Sequence, residues 1–293
     1  MINCHHHFYQ TPTRAFPAAL NKALFPWLAE LYPVWAGLDE DSIALSTELA
    51  LVELMLSGCT TASDHHYLFT DTIASACDIQ VEVAKRLGAR VVLTRGSMSL
   101  GKFAGGLPPD SVVQEADTIL AESECLVTTY HDPEPGAFIK IALVRSHGVL
   151  LHTHLGESED ENEFCLSHFG KRPVDWLAGD VWLAHGIHFD DDEISRLGSA
   201  GIGITHCPSS NMILGSGICR TKDLEAAGAN VGLGVDGSAS NDSSNMMQEV
   251  RQAFLLQRVR CGAANVTHDD ALHWGTSGGA AVLHRPRPGT RLA

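Results

Sequence analysis

Short apolar runs alternate with helix-like segments along most of this chain, and the alternation limits the folds open to it. Eight runs of four to six residues have the composition of buried strands. They are Met1–Cys4, Cys59–Asp64, Arg90–Thr94, Phe138–Leu143, Val149–His152, Val181–Ala184, Gly201–Thr205 and Asn230–Val235. Helix-like segments between them stop at glycines, as Ser42–Ser57 does at Gly58. This order is typical of βα units, and eight such strands predict a closed (β/α)8 barrel.

The predicted barrel occupies residues 1–283, and residues 284–293 form a C-terminal tail. No G-x-G-x-x-G motif follows a strand, which argues against an open dinucleotide-binding sheet. One connection departs from the pattern, because only VRSHG separates Leu143 from Val149, whereas a parallel crossover needs about a dozen residues. We expect either that these two runs pair differently or that a loop and a helix are missing here. Since the first strand begins at residue 1, we interpret the chain as a shortened form of a longer protein.

Composition excludes several classes of partner. The 20 Lys and Arg against 35 Asp and Glu give a net charge of −15, which repels phosphate backbones and anionic lipids. We therefore expect no nucleic-acid polymer and no membrane as partner, whereas a small heterocycle stays open. No signal peptide is recognisable, and no apolar run approaches the roughly 18 residues of a membrane helix. The eight cysteines include no C-x-x-C pair, which favours reduced thiols and a cytoplasmic enzyme.

Residues able to bind or serve a metal follow four of the predicted strands. His5 and His7 are one residue apart, so on an extended strand they face the same side and His6 faces the other. The carboxyl ends of barrel strands meet at one face, where active sites lie. The residues that share this position are His5, His7, His154, Glu157, His185 and Asp236. Three histidines and an aspartate are typical zinc ligands, and a spare glutamate and histidine are suited to proton transfer.

Within LLHTHLGE, the interval between His154 and Glu157 favours one imidazole on the metal and a carboxylate free to carry protons. His152 is the alternative ligand in this segment. Gln10, three residues after His7, offers an amide to the edge of a ring. His206 in THCPSSN is a candidate for substrate binding, with a structural role as the alternative, and the pair His65-His66 is assigned a supporting role.

The order His-x-His, His-x-x-Glu, His and Asp on strands one, five, six and eight resembles the deaminase and aminohydrolase branch of the amidohydrolase superfamily. The resemblance runs from His5 to about residue 282. It implies a (β/α)8 barrel with one zinc ion per subunit, iron being the alternative. Family members usually carry a small β-sandwich built from both chain ends, and we expect it to be absent or truncated here.

Four segments look most like bacterial 8-oxoguanine deaminases, namely INCHHHFYQT, LTRGSMSLG, LAHGIHFDDDEI and GVDGSASNDSSN. This likeness implies deamination of a purine-like ring, 8-oxoguanine to urate and ammonia, with triazine, isoxanthopterin and guanine as alternative substrates. Relatives commonly form symmetric assemblies, so a homo-oligomer is expected. The roles implied are metal binding by His5, His7, His154 and Asp236, catalysis by Glu157, His185 and Asp236, and substrate binding by Gln10 and His206.

Two other classes of function fit less well. A metal-binding barrel without catalytic activity has no need of Glu157 or His185, and both are present. A zinc deaminase of the cytidine type requires H-x-E and P-C-x-x-C motifs, and neither occurs in this chain.

Overall fold

Eight parallel strands close into a barrel in chain order, as the alternating pattern predicts. The computed structural model describes residues 1–143, 149–177 and 180–284. The strands are β1 (Ile2–Asn3), β2 (Thr61–His66), β3 (Val91–Arg95), β4 (Ile139–Leu143), β5 (Leu151–Leu155), β6 (Val181–His185), β7 (Gly203–His206) and β8 (Asn230–Leu233). Each overlaps one of the eight predicted runs, so the (β/α)8 architecture is confirmed.

Helices surround the barrel. They are α1 (Leu24–Trp35), α2 (Glu40–Leu56), α3 (Ala76–Leu87), α4 (Ala116–Tyr130), α5 (Glu159–Phe169), α6 (Asp191–Ser199), α7 (Pro208–Ile213), α8 (Thr221–Ala227), α9 (Ser238–Asn241), α10 (Met246–Cys261), α11 (His268–His273) and α12 (Gly279–Val282). Short 3-10 turns lie at Phe8–Thr13, Pro17–Ala19, Lys102–Ala104, Asp110–Val112 and Pro173–Trp176, and a π-helical turn at Trp274–Gly278. No helix in the described ranges is both long and apolar enough to cross a bilayer.

Local capping sets where α2 begins. The side chain of Asp39 accepts a hydrogen bond of 2.9 Å from the backbone amide of Ser42, which satisfies a donor of the first turn. The helix therefore begins two residues before the predicted Ser42–Ser57 segment.

The second strand extends beyond its predicted end at Asp64. His65 and His66 continue the parallel register with Thr94 and Arg95 of β3. Both histidines are buried. The strand therefore continues through two polar residues, because both are buried at the mouth of the barrel.

The strands β4 and β5 are parallel neighbours, as a barrel requires, but they overlap very little. Leu143, the last residue of β4, pairs with Leu151, the first residue of β5, and this is the one register pair that the described residues form between them. The neighbouring pairs of strands, β3 with β4 and β5 with β6, each share five. This stagger lets a short connection join the two strands. Residues 144–148 of the unusual connection lie outside the described residues.

The amino-terminal end of the barrel is filled by an apolar plug under the site. Trp182 of β6 is fully buried and donates from its indole nitrogen to the carbonyl of Cys4, at 3.0 Å. Its ring stacks on His152, with centroids 4.1 Å apart and planes 7° from parallel. Ala280 and Val282 of α12 belong to the same buried cluster. The imidazole of His152, which contacts His5, is therefore supported from below by the indole of Trp182.

We expect Gly198→Ala to destabilise the barrel, because α6 and α8 meet at this glycine. A Cβ placed there would lie 2.3 Å from the carbonyl oxygen of Ala227 and 2.5 Å from its Cβ. Overpacking of this kind lowers the free energy of unfolding by about 1–3 kcal/mol. Urea unfolding should show this loss as a lower midpoint. Gly37→Ala is the matched control, since its nearest neighbour would be 3.4 Å away. Equal midpoints for the two variants would contradict the prediction.

Candidate active site

The closure of the barrel brings the first motif of the chain against the last. The ring nitrogens Nε2 of His5 and His7 lie 3.4 and 3.5 Å from Oδ1 of Asp236. His5 and His7 therefore face the same side, as their spacing predicts. His6 faces away, and its Nε2 pairs with the hydroxyl of Ser244 at 2.9 Å.

Hydrogen bonds fix which nitrogen of each imidazole carries the proton. Nδ1 of His7 lies 2.7 Å from the carbonyl oxygen of His65, so it donates and leaves the Nε2 lone pair free. Nδ1 of His152 likewise donates to the carbonyl oxygen of Trp182, at 3.0 Å. Nε2 of His152 must then accept from Nδ1 of His5, 2.8 Å away. The buried Nε2 of His5 has no hydrogen-bond partner among the described residues, and like Nε2 of His7 it faces Oδ1 of Asp236.

His154 completes a set of nitrogens suited to a metal. Its Nε2 lies 3.0 Å from Nε2 of His7. Potential ligand atoms of His5, His7 and His154 lie within 4.8 Å of one another, and so do those of His5, His185 and Asp236. Facing lone pairs at these distances favour a shared cation, and imidazole with carboxylate is a zinc-type donor set. The donors thus fit the implied metal, and His152, the alternative ligand, instead orients His5.

The charges of these groups agree with that arrangement. Burial is the main cause that lowers the pKa of His5, His7 and His154, so each imidazole stays neutral and can donate its lone pair. Burial acts to raise the pKa of Asp236, but His5, His185 and His7 outweigh it and hold the pKa well below its usual range. The carboxylate is therefore ionised at neutral pH, which completes a neutral-nitrogen, anionic-oxygen ligand set.

Glu157 and His185 form a separate pair beside this set. Nε2 of His185 lies 3.5 Å from Oε2 of Glu157 and 4.0 Å from Oδ2 of Asp236. Burial raises the pKa of Glu157 to about 7, since the charge of His185 opposes the effect only in part. Burial lowers the pKa of His185, but Glu157 and Asp236 reverse the direction and leave it raised. Glu157 can therefore gain and lose a proton near neutral pH, and His185 holds its proton more firmly than a free imidazole does.

Backbone strain coincides with two of these residues. His185 has a φ of 74° and Asp236 a φ of 64°, in the left-handed region that non-glycine residues rarely adopt. Each such residue costs about 1–3 kcal/mol, and strain of this kind is typical of functional sites. The strained backbone turns both side chains toward the centre of the barrel mouth.

Short polar side chains hold the two strained residues in place, and the sequence analysis does not identify them. The hydroxyl of Ser210 donates to Oδ2 of Asp236 at 2.7 Å, and the amide of Gly237 donates to its Oδ1 at 2.7 Å. Nδ1 of His185 donates to Oδ1 of Asn211 at 3.0 Å. These residues lie in segments that read as turns, so no periodicity or spacing marks them.

A cavity of about 360 Å³ opens over His7, His154 and Asp236. Gln10 lines it, and the buried Oε1 of Gln10 has no hydrogen-bond partner among the described residues. His65 also lines it, with both ring nitrogens buried and without partners in the part of the chain that the structure describes, and Tyr67 contributes an aromatic wall. His206 is buried at the end of β7 and is not among the residues that line this cavity. Its proposed contact with substrate stays a prediction, and so does the supporting role of His65, which lines the cavity.

Comparison with known proteins agrees with the barrel and its motifs. The model of the amidohydrolase family matches residues 1–290. The chain belongs to the amidohydrolase family. Among solved structures it is similar to atrazine chlorohydrolase from Arthrobacter aurescens TC1 complexed with zinc, with a TM-score of 0.91 and 28% identity over 98% of this chain and 71% of that one.

Two curated relatives are similar in sequence. An 8-oxoguanine deaminase of Pseudomonas aeruginosa PAO1 is 55% identical over 97% of this chain and 69% of its own length. A hydroxydechloroatrazine ethylaminohydrolase of Pseudomonas sp. strain ADP is 38% identical over 98% of this chain and 66% of its own length. The chain thus spans about two thirds of the length of these relatives. The first alignment covers 310 positions, more than the 293 residues here, so that relative has residues without a counterpart in this chain.

We expect His5→Ala to abolish metal binding, because it removes a ring nitrogen that faces both His7 and Asp236. Metal content after purification, measured by plasma mass spectrometry, should fall close to zero, and activity should fall with it. His6→Asn is the matched control, since His6 pairs with Ser244 on the other side. Full occupancy in the His5 variant would refute its role as a ligand.

Proposed function

We propose that this chain is a zinc-dependent hydrolytic deaminase that converts 8-oxoguanine to urate and ammonia. One observation carries the reaction class most directly: Asp236 faces the lone pairs of two histidines while the Glu157–His185 pair stands beside it. The substrate rests on 55% identity, over 97% of this chain, to an 8-oxoguanine deaminase.

The residues His5, His7, His154 and Asp236 would hold one zinc ion. Zinc bound by such ligands lowers the pKa of water to about 7 and so supplies a strong nucleophile at neutral pH. The same nitrogen and oxygen donors accept Fe²⁺, which is the alternative metal.

The protein residues have distinct roles in the proposed reaction. Asp236 and His185, whose side chains approach to 4.0 Å, orient the attacking water and take its proton. Glu157, with its pKa raised to about 7 by burial, protonates the ring nitrogen next to the attacked carbon. The C–O bond forms first. The amino group then takes up the proton that Asp236 and His185 received from water, the C–N bond breaks, and ammonia leaves while the new hydroxyl returns a proton to Glu157.

The cavity supports a planar ring with polar edges as the substrate. Tyr32 and Tyr67 contribute aromatic walls, and a volume of about 360 Å³ lies in the range of small-ligand sites. Gln10 offers an unpartnered amide oxygen, which can accept from an N–H on the edge of a purine. Recognition by such groups needs no charged substrate and no polymer.

A triazine is the second candidate substrate. The relative that is a hydroxydechloroatrazine ethylaminohydrolase is 38% identical, and the residues proposed for catalysis serve the same chemistry on either ring. Isoxanthopterin and guanine are further alternatives from the sequence motifs. The homo-oligomer, the cytoplasmic location and the division into a barrel and a tail stay predictions.

Release of the amine by the zinc-loaded protein tests the substrate, as ammonia from a purine or as ethylamine from hydroxyatrazine. We expect a high kcat/KM for 8-oxoguanine and a much lower value for guanine and hydroxyatrazine, measured side by side. Preference for the triazine would replace the first candidate with the second. No amine released from any of these rings, with zinc bound, would overturn the deaminase proposal.

We expect Glu157→Gln to retain zinc but to lower kcat by about 100-fold or more, the usual scale for the loss of a general acid–base group. The side chain keeps its shape and cannot transfer the proton. Glu159→Gln is the matched control, because Glu159 is an exposed neighbour that pairs with His188 at 3.0 Å. Turnover near that of the wild type in the Glu157 variant would remove Glu157 from the mechanism.

A further inference from the structure

Glu249, in the first turn of α10, is a fully buried carboxylate behind the active site, with a relative exposure of 0%. Its Oε2 accepts a hydrogen bond from the backbone amide of Ser209 at 3.1 Å. Its Oε1 accepts one from Nδ2 of Asn241 at 2.9 Å. The two donors belong to different helices, α7 and α9, which follow β7 and β8 respectively. One carboxylate therefore joins two separate segments of the barrel mouth.

The helix α7 carries the contacts that orient the proposed catalytic groups. Ser210, next to the amide that Glu249 accepts from, donates to Oδ2 of Asp236 at 2.7 Å. Asn211, one residue further on, accepts from Nδ1 of His185 at 3.0 Å. A rotation of this six-residue helix would move both contacts together.

The helix α9 is coupled to the same contacts. The hydroxyl of Ser240 pairs with that of Ser210 at 2.8 Å, and Nδ2 of Asn241 also donates to the carbonyl oxygen of Val235. Val235 directly precedes Asp236 in the chain. Glu249 is thus connected to Asp236 by two routes. One runs through Ser209 and Ser210 to the side chain of Asp236. The other runs through Asn241 and Val235 to its backbone.

A buried carboxylate is costly unless hydrogen bonds satisfy its oxygens. Burial raises the pKa of Glu249 to about 7, and the donors Ser209 and Asn241 act in the opposite direction. A carboxylate is suited to this place because it accepts on both oxygens, whereas an amide of the same shape accepts on one alone.

We propose that Glu249 is a positioning residue of the active site, which sets the orientation of Asp236 and His185 by holding α7 and α9 together. It is not among the residues that line the cavity, nor in either described group of potential metal ligands. The inference rests on the proposed function, since it assigns Asp236 to metal and water and His185 to the proton.

The Glu249→Gln variant tests this role, because its amide group would face one of the two donors with a donor of its own. We expect kcat to fall about 10-fold or more, the usual scale for groups that orient metal ligands, with a much smaller change in KM. Zinc release to a chromogenic chelator should become faster by about the same factor, since Asp236 is less firmly held. The release assay needs no substrate, so its result stands even if the deaminase proposal fails.

Glu193→Gln is the matched control. Glu193 is also a buried helical carboxylate, 2% exposed, but it binds Arg172 and the amide of Asp190 rather than α7 or α9. A purely structural role for Glu249 predicts that both variants lose thermal stability while the folded fraction keeps its kcat and its zinc release rate. That result would overturn the proposal.

Two further variants keep the test decisive. If Glu249→Gln does not fold, Asn241→Ser removes one of the two donors and should change kcat and zinc release in the same direction; wild-type values would refute the proposal. A double mutant with Ser210→Ala should lose little more activity than the worse single variant, because both changes act on the same contact to Asp236. If the losses of activity in the double mutant were fully additive, Glu249 would act independently of the contact between Ser210 and Asp236, and the proposal would be overturned.

Discussion

The pairing of the first strand with the last is the interaction on which the site depends. Asn3 is in register with Leu233, and the amide of Cys4 donates to the carbonyl oxygen of Leu233 at 2.9 Å. Beyond the strands, the amide of Asp236 donates to the carbonyl oxygen of His5 at 3.1 Å. These bonds join residues far apart in the chain, and they bring the histidine motif within reach of the aspartate. Without them, His5 and His7 would not face Asp236.

The same closure creates an electrostatic problem that the surroundings offset. Neutral imidazoles and an ionised carboxylate converge in a buried space, where unpartnered polar groups cost free energy. The protein directs the second nitrogen of His5 and His7 to an acceptor, so each ring has one fixed orientation. The stacked pair of His152 and Trp182 makes that orientation rigid from below. The site is therefore organised before any ligand arrives, which lowers the cost of binding one.

The sequence predicts the barrel and the ligand set because both depend on local patterns. Strand runs end at polar residues, and His5 and His7 share a face through the period of two. It does not predict the roles of His152, Ser210 or Glu249, because those depend on contacts between segments far apart in the chain. It also does not predict the stagger of β4 and β5, since strand composition carries no register.

The barrel closure has a consequence for how the chain reaches its native state. The amide of Val235 donates to the side chain of Asn3 across 232 residues, so the proposed metal-binding residues meet only after the chain has been synthesised past Asp236. Parallel topologies with such distant contacts fold slowly. A cation that binds only the closed form stabilises it by about 4 kcal/mol when its free concentration is a thousand times Kd. The supply of metal during biosynthesis would then govern how much of the protein matures, before any substrate is turned over.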